Sequence, residues 1–263
     1  MCNLAIFGAA RGIGLSFIKS DAVKYNKVYL FDISEHVFIC RDELISLGIN
    51  CTAYQLDVTN TDSLVELFKD IFSNCKIDRV CYLIRCKHKP HFLDITPQEW
   101  DVEYNLTVKS AFFVIQKIMP YFSDNSPAVL FISSIHAELI CLNTSVTISY
   151  HSAKAALENM TKYLAVHLGE QNIRVNALRV GFIVQDEFVD KYHSPDNTQY
   201  RKRAEFAHPL KRIGLVDEVI PAMRFLLSSD ASFITGAILN VDGGLSLVEQ
   251  SGLMFEVDVN EFG

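Results

Sequence analysis

The amino-acid sequence predicts an α/β domain on a doubly wound, seven-stranded parallel sheet with helices on both faces. Three observations predict it. Short apolar runs alternate with amphipathic stretches along most of the 263 residues, the pattern of repeated βαβ units. Most runs are continuously apolar, as strands buried on both faces must be. A glycine-rich turn separates the first run from the first amphipathic stretch. No repeat, low-complexity segment or linker divides the chain, so residues 1–263 read as a single domain with a well-buried core.

The predicted strands are 4–7, 27–31, 51–56, 80–84, 128–132, 174–178 and 238–241. Helical periodicity falls between them at 13–24, 35–47, 61–74, 97–121, 150–170 and 217–228. Asp62 and Asp217 stand near helix starts, where a carboxylate caps free amides. The stretch 181–212 is polar and lacks a clear strand, and an excursion that long in an α/β domain suggests a substrate lid. The acidic tail, 245–263, reads as a surface or interface arm.

Composition narrows the function. A net charge of −7 argues against broad binding to nucleic acid or to a membrane surface. No apolar run approaches the roughly 18–20 residues of a membrane helix. The first strand-like segment begins at Leu4, leaving no room for a secretory signal ahead of it. Seven cysteines without a Cys-x-x-Cys pair suggest reduced thiols and a cytoplasmic location. The loop Cys86-Lys87-His88-Lys89-Pro90-His91 carries metal-capable residues, but its spacing fits no common zinc pattern and its lysines would repel a cation; no metal is expected.

Tyr150 and Lys154 stand four apart at a predicted helix start, so they share a face. An ammonium beside a phenol favours the phenolate and should lower the tyrosine pKa, giving a proton donor and acceptor for an alcohol or ketone oxygen. The turn Gly8-Ala9-Ala10-Arg11-Gly12-Ile13-Gly14 lies between strand and helix, where amides and helix dipole favour a pyrophosphate. Asp32 follows 18 residues after Gly14, at the end of the second strand, placed to bond an adenosine ribose and repel a 2′-phosphate. Arg11 could pair with that phosphate; the balance of charges favours NAD over NADP. Asp57 suits the adenine amino group or, equally simply, a turn.

These pieces resemble the short-chain dehydrogenase/reductase family, in its single-domain branch. The resemblance runs from Leu4 to about Gly244. It rests on Gly8-x-x-x-Gly12-x-Gly14, Asp57-Val58, Asn105, Ser133-Ser134, Tyr150-x-x-x-Lys154, Arg174-Val175-Asn176, Gly181, and Phe233-Ile234-Thr235-Gly236 leading to Asp242-Gly243-Gly244. It implies a Rossmann fold and hydride transfer between a nicotinamide and a carbinol carbon. Tyr150 would be the general acid/base. Lys154 would tune it and bind the nicotinamide ribose, Ser134 would hold the substrate oxygen, and Asn105 would position a relay water. The glycine turn with Arg11 and Ile13, the acids Asp32 and Asp57, and Val58 would hold the adenosine side. Gly181, Ile183 and Gln185 would lie at the nicotinamide. A homotetramer or homodimer through the helices 97–121 and 150–170 is implied.

The chain also departs from the family pattern. Asn-Asn-Ala-Gly is replaced by Tyr82-Leu83-Ile84-Arg85, putting an arginine where the family has glycine; its side chain either reaches phosphate or substrate, or folds out to water. Ser134 lies sixteen residues before Tyr150, more than is usual, so the loop 136–149 should remodel a pocket wall. Ser133 is then a fallback for the serine role, with Thr144 and Ser145 behind it. His151 points about 100° from Tyr150 on a helix, which suggests packing. Basic residues after the fourth strand (Arg85, Lys87, His88, Lys89) and in 181–212 (Arg201, Lys202, Arg203, Lys211, Arg212) raise an anionic substrate against a plain solvated surface. Competing readings are an NADPH-dependent 3-oxoacyl reductase and a cofactor-binding regulator with vestigial activity.

Overall fold

The computed structural model describes residues 2–86, 92–141, 146–185 and 188–249. Seven parallel strands form one sheet: β1 (Cys2–Phe7), β2 (Tyr25–Asp32), β3 (Cys51–Gln55), β4 (Arg79–Tyr82), β5 (Ala128–Ser134), β6 (Arg174–Val180) and, last in the chain, β9 (Ile238–Val241). Their order across the sheet is β3-β2-β1-β4-β5-β6-β9. The order reverses between β1 and β4, and in such sheets a crevice opens at the strand C-termini beside that point.

Side-chain alternation builds two cores, one on each face. Leu4 and Ile6 of β1 join Val28 and Leu30 of β2 on one face, while Ala5, Phe7, Tyr29 and Phe31 line the other. Phe7 stacks on Phe31 at 4.6 Å and meets Phe68 edge-on at 6.1 Å. Fully burying each such ring contributes about 1.5–3 kcal/mol.

The helices α1 (Gly12–Asp21), α2 (His36–Ser46) and α3 (Ser63–Phe72) follow the first three strands. α4 (Pro97–Tyr104) begins in a capping box: Thr96 Oγ1 accepts from the Glu99 amide and Glu99 returns to the Thr96 amide, with Pro97 at the first position. The predicted helix 97–121 is interrupted. A π turn, Asn105–Lys109, separates α4 from α5 (Ser110–Ile118). Such turns widen the backbone and recur at functional sites. α6 (Ile148–Leu168) is capped by Thr147, whose Oγ1 accepts from the Tyr150 amide at 3.1 Å.

The stretch 181–212 folds into β7 (Ile183–Val184), α7 (Val189–His193) and α8 (Thr198–Ala207), packed around Val184, Tyr192 and Ile213. A strand is present after all: β7 pairs in parallel with β8 (Gly214–Leu215), a ladder too short to leave a pattern. α9 (Val216–Leu227) follows. Neither expected carboxylate cap forms. Asp62 occupies the cap position of α3 without a side-chain bond, and at α9 it is Glu218, not Asp217, that accepts the Leu215 amide at 2.9 Å. Residues 250–263 of the expected arm lie outside the described residues. Among the described residues no helix is long and apolar enough to cross a membrane.

Candidate active site

A cleft at the β1/β4 reversal runs from the glycine turn to the N-terminus of α6. It is lined by Gly8, Arg11, Gly12, Ile13 and Gly14, then Asp32, Asp57 and Val58 at one end. Ser134, Tyr150 and Lys154 lie toward the other, with Gly181, Ile183 and Gln185 across from the turn. The fold thus brings the sequence-predicted residues into one depression. Asn105 is set behind it on the π turn, where the next residue, Leu106, reaches the cleft.

The glycine turn is tight enough to require its glycines. A Cβ on Gly14 would lie 2.2 Å from the Gly8 carbonyl oxygen, so the start of α1 sits directly on the end of β1. Gly12 has φ +55°, and a Cβ there would meet Gln185 Oε1 at 2.5 Å. α1 has no acidic residue in its first turn and no side-chain cap, which leaves its first amides facing the cleft beside the exposed Arg11. Free amides, a positive dipole end and a guanidinium together suit a dinucleotide pyrophosphate. Asp32 accepts from the Ala10 amide at 3.0 Å and the Ser34 amide at 2.9 Å, which fixes its carboxylate at the rim. Asp57 is exposed, and one oxygen is engaged by the amide and hydroxyl of Thr59 at 2.9 and 2.7 Å, the turn geometry considered for it.

At the other end Ser134 and Tyr150 line the cleft together, the Ser134 hydroxyl favouring the phenolate, and Ser134 Oγ accepts the His136 amide at 3.2 Å. Ser133, the fallback for the serine role, donates its hydroxyl to Glu158 Oε1 at 2.8 Å. Thr144 and Ser145 lie outside the described residues. Lys154 is 3 % exposed; its Nζ donates to the Ile132 carbonyl at 2.8 Å and sits 5.6 Å from the Tyr150 ring centre.

The electrostatics correct one expectation. Lys154 was expected to lower the Tyr150 pKa, yet the phenol is held above its ordinary value. Burial is the largest influence and outweighs the opposing pull of the Ser134 hydrogen bond and the Arg85 charge. Burial also pushes Lys154 down to about 8, with Arg85 adding to the fall and Glu103 and Glu158 opposing it. The lysine ammonium is committed to a backbone carbonyl rather than to the phenol.

Arg85 lines this end of the cleft and is exposed, so it does not pack against the sheet where the family's glycine would lie. Among the basic residues of 181–212, Arg201 donates to the Tyr192 and Ser194 carbonyls and Arg212 pairs with Glu218. Those two hold the local fold together. Lys87, His88 and Lys89 lie outside the described residues.

Three contributors escaped the sequence reading. Glu103, 2 % exposed, accepts from Thr107 Oγ1 at 2.6 Å and bears on Lys154 from α4. Glu158 continues the 150, 154, 158 face of α6 and binds Arg179 through two contacts. That i, i+4, i+8 series was the available signal for it. Tyr82, standing where the family has asparagine, donates its hydroxyl to the Leu106 carbonyl at 2.5 Å and braces the π turn carrying Asn105.

A family model described as enoyl-(acyl carrier protein) reductase matches residues 8–246. The chain belongs to the short-chain dehydrogenase/reductase family. It is 31 % identical over 252 residues to a 3-oxoacyl-[acyl-carrier-protein] reductase of Thermotoga maritima, covering 91 % of this chain and 96 % of that one. It is 31 % identical to L-xylulose reductase of Caenorhabditis elegans, over 93 % of this chain and 95 % of that one. Among solved structures, a 7α-hydroxysteroid dehydrogenase complexed with NADH and 7-oxo glycochenodeoxycholic acid aligns with a TM-score of 0.80 at 30 % identity, covering 92 % of this chain and 93 % of that one. The chain is a nicotinamide-dependent oxidoreductase of CH–OH groups, on the Rossmann fold of this family.

Proposed function

We propose that this enzyme uses NAD in preference to NADP and works on a secondary alcohol or ketone bearing an anionic group, with Tyr150 as general acid/base. The observation that carries the reading is the Ser134–Tyr150 contact, with Lys154 behind it, in the same cleft as the glycine turn. When bound, the nicotinamide supplies or takes up the hydride. In reduction, Tyr150 gives its proton to the carbonyl oxygen as that oxygen gains charge, and Ser134 donates a hydrogen bond to the same oxygen. Lys154 binds the nicotinamide ribose, and Asn105 holds the water that returns a proton toward Lys154. Gly8, Gly12, Ile13, Gly14, Val58 and Asp57 cradle the adenosine half; Gly181, Ile183 and Gln185 border the nicotinamide.

Asp32 supports NAD, since its fixed carboxylate would face a 2′-phosphate. Arg11 supports the NADPH-dependent 3-oxoacyl reductase instead, being exposed beside the same site. Fluorescence titration separates them: tighter binding of NADPH than NADH overturns the preference. A panel of ketones run beside Tyr150→Phe separates an enzyme using this chemistry from a regulator, and activity that survives the substitution sinks the mechanism.

Arg85 supports the anionic substrate. Arg85 lines the catalytic end, whereas the carboxylates among the described lining residues, Asp32 and Asp57, belong to the adenosine end. A charge-assisted bond is worth about 1.5–3 kcal/mol. Arg85→Ala should therefore cost on the order of 10–100-fold in kcat/KM for a ketone with a carboxylate and little for its uncharged analogue. Equal losses on both, or weaker NADH binding alone, would reassign Arg85 to the cofactor.

The stretch 181–212 serves as the lid, and Tyr200 of α8 already lines the cleft. Exposed Tyr163 and Val166 on α6 support a homodimer or homotetramer, with 245–263 as an interface arm. The seven cysteines, with no Cys-x-x-Cys pair among them, support a reducing, cytoplasmic setting.

A further inference from the structure

We propose that His151 is a positioning residue that ties Cys141 to Thr147 and steadies the cleft-lining His136 and Thr147 beside Tyr150, and that it thereby sets which ketones the site accepts. The inference rests on the oxidoreductase reading above.

Among the described residues between Ser134 and Tyr150, Ile135, His136, Val146 and Thr147 line the cleft. A wall made of loop discriminates between substrates only if it is held in place. His151, 6 % exposed, lies one turn into α6 behind it. Its Nδ1 is 2.7 Å from the Thr147 carbonyl, and its Nε2 accepts the Cys141 amide at 3.2 Å. The Cys141 N–H can only donate, so Nε2 is the unprotonated nitrogen and Nδ1–H donates to Thr147. One neutral ring thereby ties residue 141 to residue 147 across the intervening segment.

Neighbouring contacts make this tie consequential. The His136 ring lies 5.0 Å from His151 and 6.3 Å from Tyr150, so a shift of His151 is felt by a cleft-lining side chain. The same Thr147 caps the helix at the Tyr150 amide. The near end of the wall is anchored separately, where Glu138 pairs with Arg179, itself bound to Glu158.

Simple core packing makes a different prediction from a tie. His151→Phe keeps the ring and removes both hydrogen bonds, whereas His151→Gln restores a donor and an acceptor at similar reach. Two lost bonds of about 0.5–1 kcal/mol each correspond to roughly 5–30-fold. For a ketone whose turnover is abolished by Tyr150→Phe, His151→Phe should raise KM by about that factor, with kcat and NADH affinity within about twofold, and should flatten the preference among ketones of different bulk. His151→Gln should recover most of the loss. Hydrogen exchange supplies a readout that needs no substrate: the Cys141 amide should be protected in the native enzyme and in His151→Gln, and exposed in His151→Phe. An unprotected Cys141 amide in the native enzyme overturns the proposal. So does a His151→Phe variant with unchanged KM and ranking, or one that loses kcat, NADH affinity and thermal stability together with no rescue by glutamine. Turnover surviving Tyr150→Phe refutes the oxidoreductase reading instead, and the exchange result still decides the tie.

Discussion

Replacing Glu103 with glutamine isolates the charge that keeps Lys154 protonated. The displacement of Lys154 from 10.5 to about 8 corresponds to roughly 3 kcal/mol against its charged form. Glu103 works against that displacement. Glutamine retains an oxygen for the 2.6 Å bond from Thr107 Oγ1, so the substitution removes charge with little change of shape. Loss of a nearby opposite charge lowers an ammonium pKa by about one or more. Lys154, about nine-tenths charged at pH 7 in the native enzyme, would then be about half charged. Glu103 also raises Tyr150, so its loss moves the phenol in the same direction. The reductive kcat/KM should be near native at pH 6, fall by about twofold or more at pH 7.5, and carry its alkaline limb about one pH unit lower. The assay is ketone-dependent NADH oxidation from pH 5.5 to 9.5. An alkaline limb that stays in place, or a loss equal at every pH, would refute the electrostatic role and leave Glu103 as a helix-packing residue.

The two serines should separate cleanly. Ser134→Ala is expected to lower kcat/KM by about 100-fold or more with NADH binding retained. Ser133→Ala, which removes one bond to Glu158, should cost about 1 kcal/mol of stability and little activity; the opposite result would move the catalytic role to Ser133. Asp21, 1 % exposed, ties α1 to α9 through Arg224 at 2.6 and 2.8 Å, and Asp21→Asn should cost about 2 kcal/mol, discounted because Arg224 is half exposed. The Asp21 pKa lies below its ordinary 3.8: burial raises it, but the bonds from Arg224 and Lys24 more than offset that. The contribution is therefore present above about pH 4 and fades as pH falls toward the folded-state value. Calorimetry should show Tm lower by about 4–8 °C at pH 7, with the gap narrowing as pH falls below about 4. Equal Tm values at pH 7 would remove the pair from the stability account.

What was legible in the sequence follows from range. The strands were legible because a parallel sheet buried on both faces needs continuous apolar runs, and the cofactor cradle because its glycines are local steric requirements. The π turn was hidden within 97–121, since helical periodicity continues through it and the widened turn is braced from outside, by Tyr82 of β4. The phenol pKa was misjudged for a similar reason. Spacing places Lys154 beside Tyr150, but burial of the hydroxyl and the reach of Lys154 to Ile132 depend on the packed sheet.

The departures from the family pattern form one connected region. Tyr82 occupies the first position of the altered fourth-strand segment and supports the π turn; Arg85 occupies the last and bears on Tyr150 and Lys154. Across the cleft, the lengthened segment after Ser134 is tied to α6 by His151 and, through Arg179, to Glu158 on the same helix. Both changes therefore sit at the phenol's end of the cleft while leaving the glycine turn and Asp32 unaltered. A change that served cofactor choice would sit at the adenosine end. These sit where a substrate carbonyl would meet Tyr150, a placement that suits substrate specificity and not cofactor choice.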